Sequence, residues 1–341
     1  MRHELICTEP ATPPQLAVRS VERPRPGSGE VLVRVQASSV NPIDVKRAAG
    51  YGRRLLALKG AARFPLVLGN DLAGVVESVG PDVTGMSAGQ RVFGLLATGR
   101  AGGALASHVV VPQELLRVAP DAADPASLAV LPYSFTTMWL ALRAAGLKAG
   151  NARGARVLVH GASGGLGQLA LQQLRHWGSR VTALCGTGRR EAALALGAQM
   201  AVERGPLSIS SLPADFDAVL NFASWDDDDR LASRLGPKAL GQATTVHPLL
   251  ANFDRLGWLG GAWTSRNDRQ CVRAVVAGRA SRARYAWTIF EPDREALNAL
   301  ASGVNAGRLS LPVGIAVPFA KAAAAFEHVS AGRPGRAVLL P

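Results

Sequence analysis

Between positions 155 and 190 the chain carries the residue types and spacing best suited to gripping a phosphate-bearing ligand. An apolar strand ending at His160 runs into Gly161-Ala162-Ser163-Gly164-Gly165-Leu166-Gly167 and then into a helical pattern. Glycines permit a tight turn and close backbone approach to a pyrophosphate, and the first N–H groups of the following helix, at its positive dipole end, face the anion. A second strand, 180–185, ends in Gly186-Thr187-Gly188-Arg189-Arg190. An acid here would bind the ribose 2′-hydroxyl of NAD. Two guanidinium groups instead suit a 2′-phosphate, so NADPH is expected over NADH.

The glycine pattern has a rival meaning. On the strict G-x-G-x-x-G form it reads Ala162-x-Gly164-x-x-Gly167, while Gly161-x-Ser163-x-Gly165 fits the nucleophile elbow of hydrolases, with His247 or His328 and Asp217 or Asp254 available as partners. A hydrolase would place several βα units before the elbow. Here the first 120 residues are turn-rich and β-like, so dinucleotide binding is the favoured reading over an elbow or a loop that binds nothing.

The elements that must position these residues come next. At 341 residues, with 48% hydrophobic and 18% charged residues, the chain can build two domains with real cores. Its apolar stretches are strand-sized, so no membrane span is expected. The opening Met1-Arg2-His3-Glu4-Leu5-Ile6-Cys7 lacks the apolar core of an export signal, and a cytosolic (cytoplasmic) location is expected. Cys7, Cys185 and Cys271 are far apart and read as buried thiols, giving neither a disulfide framework nor a metal clip. The net charge of +13 (38 Lys+Arg against 25 Asp+Glu) is scattered and aromatics are 5%, which fits solvated faces and an anionic cofactor rather than nucleic acid. The run Asp226-Asp227-Asp228-Asp229 lacks the glycine and glutamate of a calcium loop and reads as a solvated turn or helix start.

Short strands are expected at 31–40, 71–79, 90–95 and 108–111, separated by Gly/Pro turns. From about Ser127 strands at 156–160, 180–185, 218–222 and 243–246 alternate with helical periods, which implies a parallel sheet covered on both faces. A further strand is expected at 284–290, a helix at 293–304, and strands at 314–319 and 336–340 that return to the first domain. The fold class is therefore α/β. The expected division is 1–124 with 305–341 as a β domain and 125–304 as a Rossmann domain.

In this order the residues resemble the medium-chain dehydrogenase/reductase superfamily, in which a chaperonin-10-like β domain precedes a doubly wound Rossmann sheet. Asn41-Pro42-Ile43-Asp44, Leu131-Pro132-Tyr133, Thr136-Thr137 before Trp139, and the 161–167 loop are similar to zinc-free quinone oxidoreductases. Asn41-Pro42-Ile43-Asp44-Val45 through Gly50-Tyr51-Gly52, and Asn252-Phe253-Asp254-Arg255-Leu256-Gly257, resemble the reticulon-interacting mitochondrial NADPH reductases. Zinc-dependent relatives carry a Cys where Asn41-Pro42 stands and a His-Glu pair where Gly69-Asn70-Asp71 stands, so no tetrahedral site is expected. The family's Glu-aromatic pair is Ser107-His108 here, and a phosphate-binding Ser is replaced by Gly186, leaving Thr187 with Arg189 and Arg190 for the phosphate.

The resemblance implies hydride transfer from NADPH to a quinone or α,β-unsaturated carbonyl compound in a cleft between the domains. An enoyl-thioester reductase and an NADPH-binding interaction protein with little turnover are the alternatives. Asn41 reads as a helix N-cap before Pro42 at N1, and with Asp44 as a group lining the site. Tyr51, between two glycines, could donate a proton to a substrate oxygen. Cofactor contacts are expected from Tyr133, Thr137, Ser163, Gly164, Gly165, Leu166, Gly167, Cys185, Gly186, Thr187, Arg189, Arg190, Asn221 and His247. A homodimer and a protein partner are left open.

Overall fold

The chain is described by a computed structural model over residues 1–99 and 102–341. Two units emerge, Met1–Tyr133 with Glu291–Pro341, and Ser134–Phe290.

In the first unit β1 (Arg2–Cys7) lies between β2 (Leu16–Val21) and β4 (Leu66–Val67). A larger sheet is organised around β3 (Glu30–Val40), whose Val31, Val33, Val35 and Val40 are buried. Along its length β3 pairs with β5 (Asp71–Val79), which continues to β6 (Arg91–Leu95) and β8 (Leu116–Val118). Its first half also pairs with β7 (His108–Pro112), and its end pairs with β16 (Arg336–Leu340), beyond which lies β15 (Val313–Pro318). Gly74 lets β5 approach β3, since a Cβ there would fall 2.2 Å from the Arg34 carbonyl oxygen. Helix α1 (Pro42–Ala48) starts where β3 stops, and α2 (Arg53–Ala57) and α3 (Pro125–Ala129) follow. Leu68, Leu105, Phe319 and Phe326 fill the core beside β1 and β16.

Helix α4 (Pro132–Ala144) and the short α5 (Ala149–Ala152) lead into β9 (Arg156–His160), α6 (Gly165–Trp177), β10 (Arg180–Cys185), α7 (Arg190–Ala195) and β11 (Met200–Glu203). The chain then crosses to β12 (Ala218–Asn221), α8 (Asp228–Ala232), β13 (Gly241–Thr244), α9 (Leu249–Arg279) and β14 (Arg284–Trp287). All six strands are parallel in the order β11-β10-β9-β12-β13-β14. The order reverses at β9, so the carboxyl ends of β9 and β12 flank the crevice where such sheets take ligands. Helix α6 buries Leu169, Ala170, Leu171 and Leu174 and stops at Gly178, whose φ of 75° is the left-handed cap conformation.

Four expectations need correction. The units divide at 133/134 and 290/291 rather than 124/125 and 304/305. Helix α10 (Arg294–Asn305) belongs with the β unit because Arg117 on β8 donates to Asn298 Oδ1 (2.9 Å) and to the Arg294 carbonyl (3.1 Å). The acidic run is a helix start, yet Asp227 and Asp228 are buried, held by polar partners that the one-dimensional pattern does not reveal. Cys271 is exposed on α9, whereas Cys7 and Cys185 are buried. Strand β11 was not foreseen, and the strands expected to reach 222, 246 and 290 stop at Asn221, Thr244 and Trp287.

Candidate active site

The 161–167 loop has the shape its sequence implies. Gly161 has φ 81°, and a Cβ on Gly167 would fall 2.2 Å from the Gly161 carbonyl oxygen and 2.5 Å from Ala162 Cα. Only glycines allow this compact turn, which brings the first turn of α6, Gly165 to Gly167, to the end of β9 with N–H groups that have no intrahelical acceptor. Ser163 Oγ accepts the Gly186 N–H (3.3 Å) and so ties this loop to the one after β10. The residues a hydrolase elbow would call on have partners of their own: His247 donates from Nε2 to the Thr288 carbonyl (3.2 Å), His328 bonds the Gly335 carbonyl, and Asp217 accepts the Arg156 N–H.

In the second loop Thr187, Arg189 and Arg190 are exposed, with Arg189 at the N-cap of α7 and Arg190 its first residue. The neighbour that sequence reasoning missed is Glu203 at the end of β11, whose carboxylate accepts the Gly188 N–H (2.8 Å). Finding it required the unrecognised strand. Cys185 is buried beside it, donating to the Val202 carbonyl (3.5 Å), and burial followed by the Glu203 charge pushes its thiol pKa up.

At the other strand ends a polar chain crosses the sheet. Asn221 accepts from His160 Nδ1 (3.0 Å) and donates to Asp228 Oδ1 (2.8 Å) and the Ser224 carbonyl (2.7 Å). Asp228 Oδ2 accepts from the Tyr285 hydroxyl (2.6 Å), which accepts from Trp287 Nε1 (2.9 Å). Trp287 stacks on His247 with ring centroids 4.9 Å apart. Asn221 is thus fully engaged within the unit and does not present a spare amide to a cofactor. His247 differs: burial lowers its pKa to about 4, so the ring is neutral, and its Nδ1 is buried without a partner, as is Thr288 Oγ1. Two unpartnered polar atoms at the ends of β13 and β14, together with the glycine turn, fit a nicotinamide dinucleotide. Thr137 is buried on α4, where Thr136 Oγ1 also lacks a partner.

The first unit assembles its own cluster through strand register. Ala337 pairs with Val40, and Ala37 with Ala73, which sets Arg336 beside Asn41 and Asp71 beside Ser39. Asp71 Oδ2 accepts from Ser39 Oγ (2.5 Å) and Asn41 Nδ2 (2.8 Å), and Oδ1 accepts the Tyr133 N–H. Asn41 Oδ1 accepts from Arg336. Asp44 accepts the N–H of Asn41 (2.8 Å) and of Gly69 (2.9 Å). Burial raises the carboxyl pKa of both acids, that of Asp71 to about 6, and lowers the pKa of Arg47 and Arg336. Both arginines keep a buried Nε without a partner. Asn41, Asp44 and Tyr133 therefore come together, joined by Asp71, Arg47 and Arg336, which the sequence did not single out as site residues. Tyr51 sits in the turn between α1 and α2 with Lys46 Nζ 5.5 Å from its ring centroid. Among the described residues no group of three or more His, Cys, Asp or Glu is placed to hold a metal ion.

A GroES-like β unit joined to this parallel sheet is the architecture of the medium-chain dehydrogenase/reductases. The family model for the alcohol dehydrogenase GroES-like domain matches residues 27–121. The mitochondrial NAD(P)H oxidoreductase RTN4IP1 of Danio rerio is 31% identical over 317 residues, covering 89% of this chain and 81% of the relative. The chloroplast envelope quinone oxidoreductase homolog of Arabidopsis thaliana is 35% identical over 207 residues, 59% of this chain and 61% of that one. The quinone oxidoreductase structure from Coxiella burnetii superposes with a TM-score of 0.80 over 100% of both chains at 21% identity. The chain belongs to the medium-chain dehydrogenase/reductase superfamily, in the quinone oxidoreductase branch with the reticulon-interacting NAD(P)H oxidoreductases. It is an oxidoreductase of the nicotinamide-dependent kind. The mitochondrial names of these relatives overturn the expected cytosolic location. That expectation rested on opening residues that form β1 of a folded unit.

Proposed function

We propose that the protein is an NADPH-dependent reductase that passes hydride to a quinone or an α,β-unsaturated carbonyl compound. The observation that carries this reading is the pair of buried guanidinium groups, Arg47 and Arg336, each with an unpartnered Nε, beside Asp71, Asn41 and Asp44. NADPH, when bound, supplies the hydride. An acceptor that gains hydride develops negative charge on oxygen, and a fixed cation in a dry setting stabilises that charge without reorganising. Conjugation already activates the acceptor carbon.

Asn41 and Asp44 act as positioning residues in this scheme, since their polar atoms hold Arg336, Asp71 and the backbone. Tyr51 and Tyr133 are the candidate proton donors. The glycine turn with Ser163 to Gly167 takes the pyrophosphate, and Thr187, Arg189 and Arg190 take the 2′-phosphate. Thr137 on α4 and neutral His247, with Thr288, bind toward the nicotinamide end. The relative named as a quinone oxidoreductase homolog supports the acceptor class.

The test is NADPH loss followed across quinones, enones and enoyl thioesters, before and after chelation. Turnover on quinones or enones that survives chelation is expected. Cofactor binding with no acceptor-dependent oxidation would overturn the proposal.

A further inference from the structure

Helix α9 carries the Asn252 to Gly257 motif, which the site above leaves unused. Residues 252 and 268 would stand about 24 Å apart in a straight helix. Instead Asn252 Nδ2 donates to both Ser265 Oγ (3.2 Å) and Asp268 Oδ2 (2.9 Å). The helix therefore folds back on itself, and the break is Gly257, with φ 72° and ψ −167°. A Cβ on Gly261 would fall 2.7 Å from Phe253 Cα, so the two arms pack tightly. Phe253 braces Trp258 edge-on at 5.7 Å.

The corner of this hairpin is apolar and wet. Leu256 is 42%, Trp258 47%, Leu259 89% and Trp263 71% exposed. Past the break, Leu259, Trp263, Arg266, Gln270 and Arg273 follow at helical spacing on one exposed face, with Arg269 adjacent. Nearby Asp268 already accepts from Asn252.

We infer that this corner docks on an anionic phospholipid surface, the indoles and Leu259 entering the headgroup boundary and Arg266 and Arg273 meeting lipid phosphates. Trp and Leu beside arginine on an exposed helix are the composition of interfacial binding. Charge complementarity selects this occupant. Pairing with a second copy about a two-fold axis would set the basic face against itself on chains of net charge +13.

The experiment is cosedimentation of the full chain with phosphatidylcholine vesicles, with and without phosphatidylglycerol, beside light scattering of the protein alone. Binding is expected only to the anionic vesicles and is released by salt. The Leu259→Ala/Trp263→Ala variant should lose at least about tenfold in partitioning, and Trp263→Phe should keep most of it. Each Arg→Gln change should cost about fivefold. Unchanged NADPH binding by every variant verifies folding. The inference is overturned if the parent ignores anionic vesicles, or if the Leu259/Trp263 variant binds them equally, which would be adsorption by charge alone. It is also overturned if the parent is a dimer that dissociates on that substitution, or if vesicles fail while a purified acidic protein binds through the same residues.

Discussion

Each unit buries an aspartate at the head of an element, and the two are satisfied differently. Asp228 in the Rossmann unit meets neutral donors, the Tyr285 hydroxyl and the Asn221 amide, and the chain through Trp287 leaves it nothing further to bind. Asp71 in the β unit is linked through Asn41 to a buried cation, Arg336, which keeps an unpartnered Nε. With neutral donors on both oxygens, Asp228 fixes the ends of strands. The Arg336 guanidinium retains a donor for something that arrives later.

The contrast can be broken first at Arg336. Arg336→Met should lower turnover about 100- to 1000-fold, the scale for losing a charge-stabilising donor, with NADPH affinity kept. Steady-state kinetics beside cofactor titration decides it, and normal turnover would make the cluster mere scaffold.

The second way uses pH. Asp71 has its pKa raised from 3.8 to about 6 on folding, so the native state holds more protons between those values. Stability from this group is full below about pH 4 and falls by about 3 kcal/mol as pH rises through 6. His247 has the opposite sign. Its pKa is lowered from 6.5 to about 4, so its contribution is lost as pH falls through that window. The two oppose each other in the parent. Relative to the parent, urea unfolding of Asp71→Asn should show stability rising more with pH over this range, and that of His247→Gln should show it rising less; parallel curves for parent and variants would refute both assignments.

The Asp228 contacts should respond in stability alone. Tyr285→Phe strands Asp228 Oδ2 and Trp287 Nε1, a loss of about 2 kcal/mol, with turnover near the parent value. A large kinetic defect would erase the distinction between the units.

The smallest effect concerns the 2′-phosphate. Arg189 and Arg190 are exposed, so Ala at the one that binds should reduce NADPH preference about tenfold. Glu203→Gln, which removes a carboxylate from the same loop, should raise that preference severalfold. Paired NADPH and NADH affinities test this, and no change in any variant would show that the phosphate lies elsewhere.

Local pattern carried much of this molecule. The glycine turn, the strands at 156–160 and 180–185, and the cap at Asn41 are set by residues within a few positions of each other, and all were readable. What escaped depends on register. Arg336 looks like one more surface arginine until β16 lies beside the end of β3, and Glu203 until β11 lies beside β10. Asp227 and Asp228 read as solvated because their partners, Arg204 just past β11, Asn221 on β12 and Tyr285 on β14, come from other parts of the chain. The break in α9 hid inside an ordinary helical composition, marked only by Gly257.

The joining of β3 to β16 also orders events in time. Arg336 follows Asn41 by 295 positions, with the whole Rossmann unit made between them. During synthesis that unit can fold while Asn41 and Asp71 still wait for their cation, because domains fold as units in the order they emerge. On the proposed function, a partly made chain would then bind nicotinamide dinucleotide before it could act on an acceptor, and reductive chemistry would switch on only when the returning strand docks.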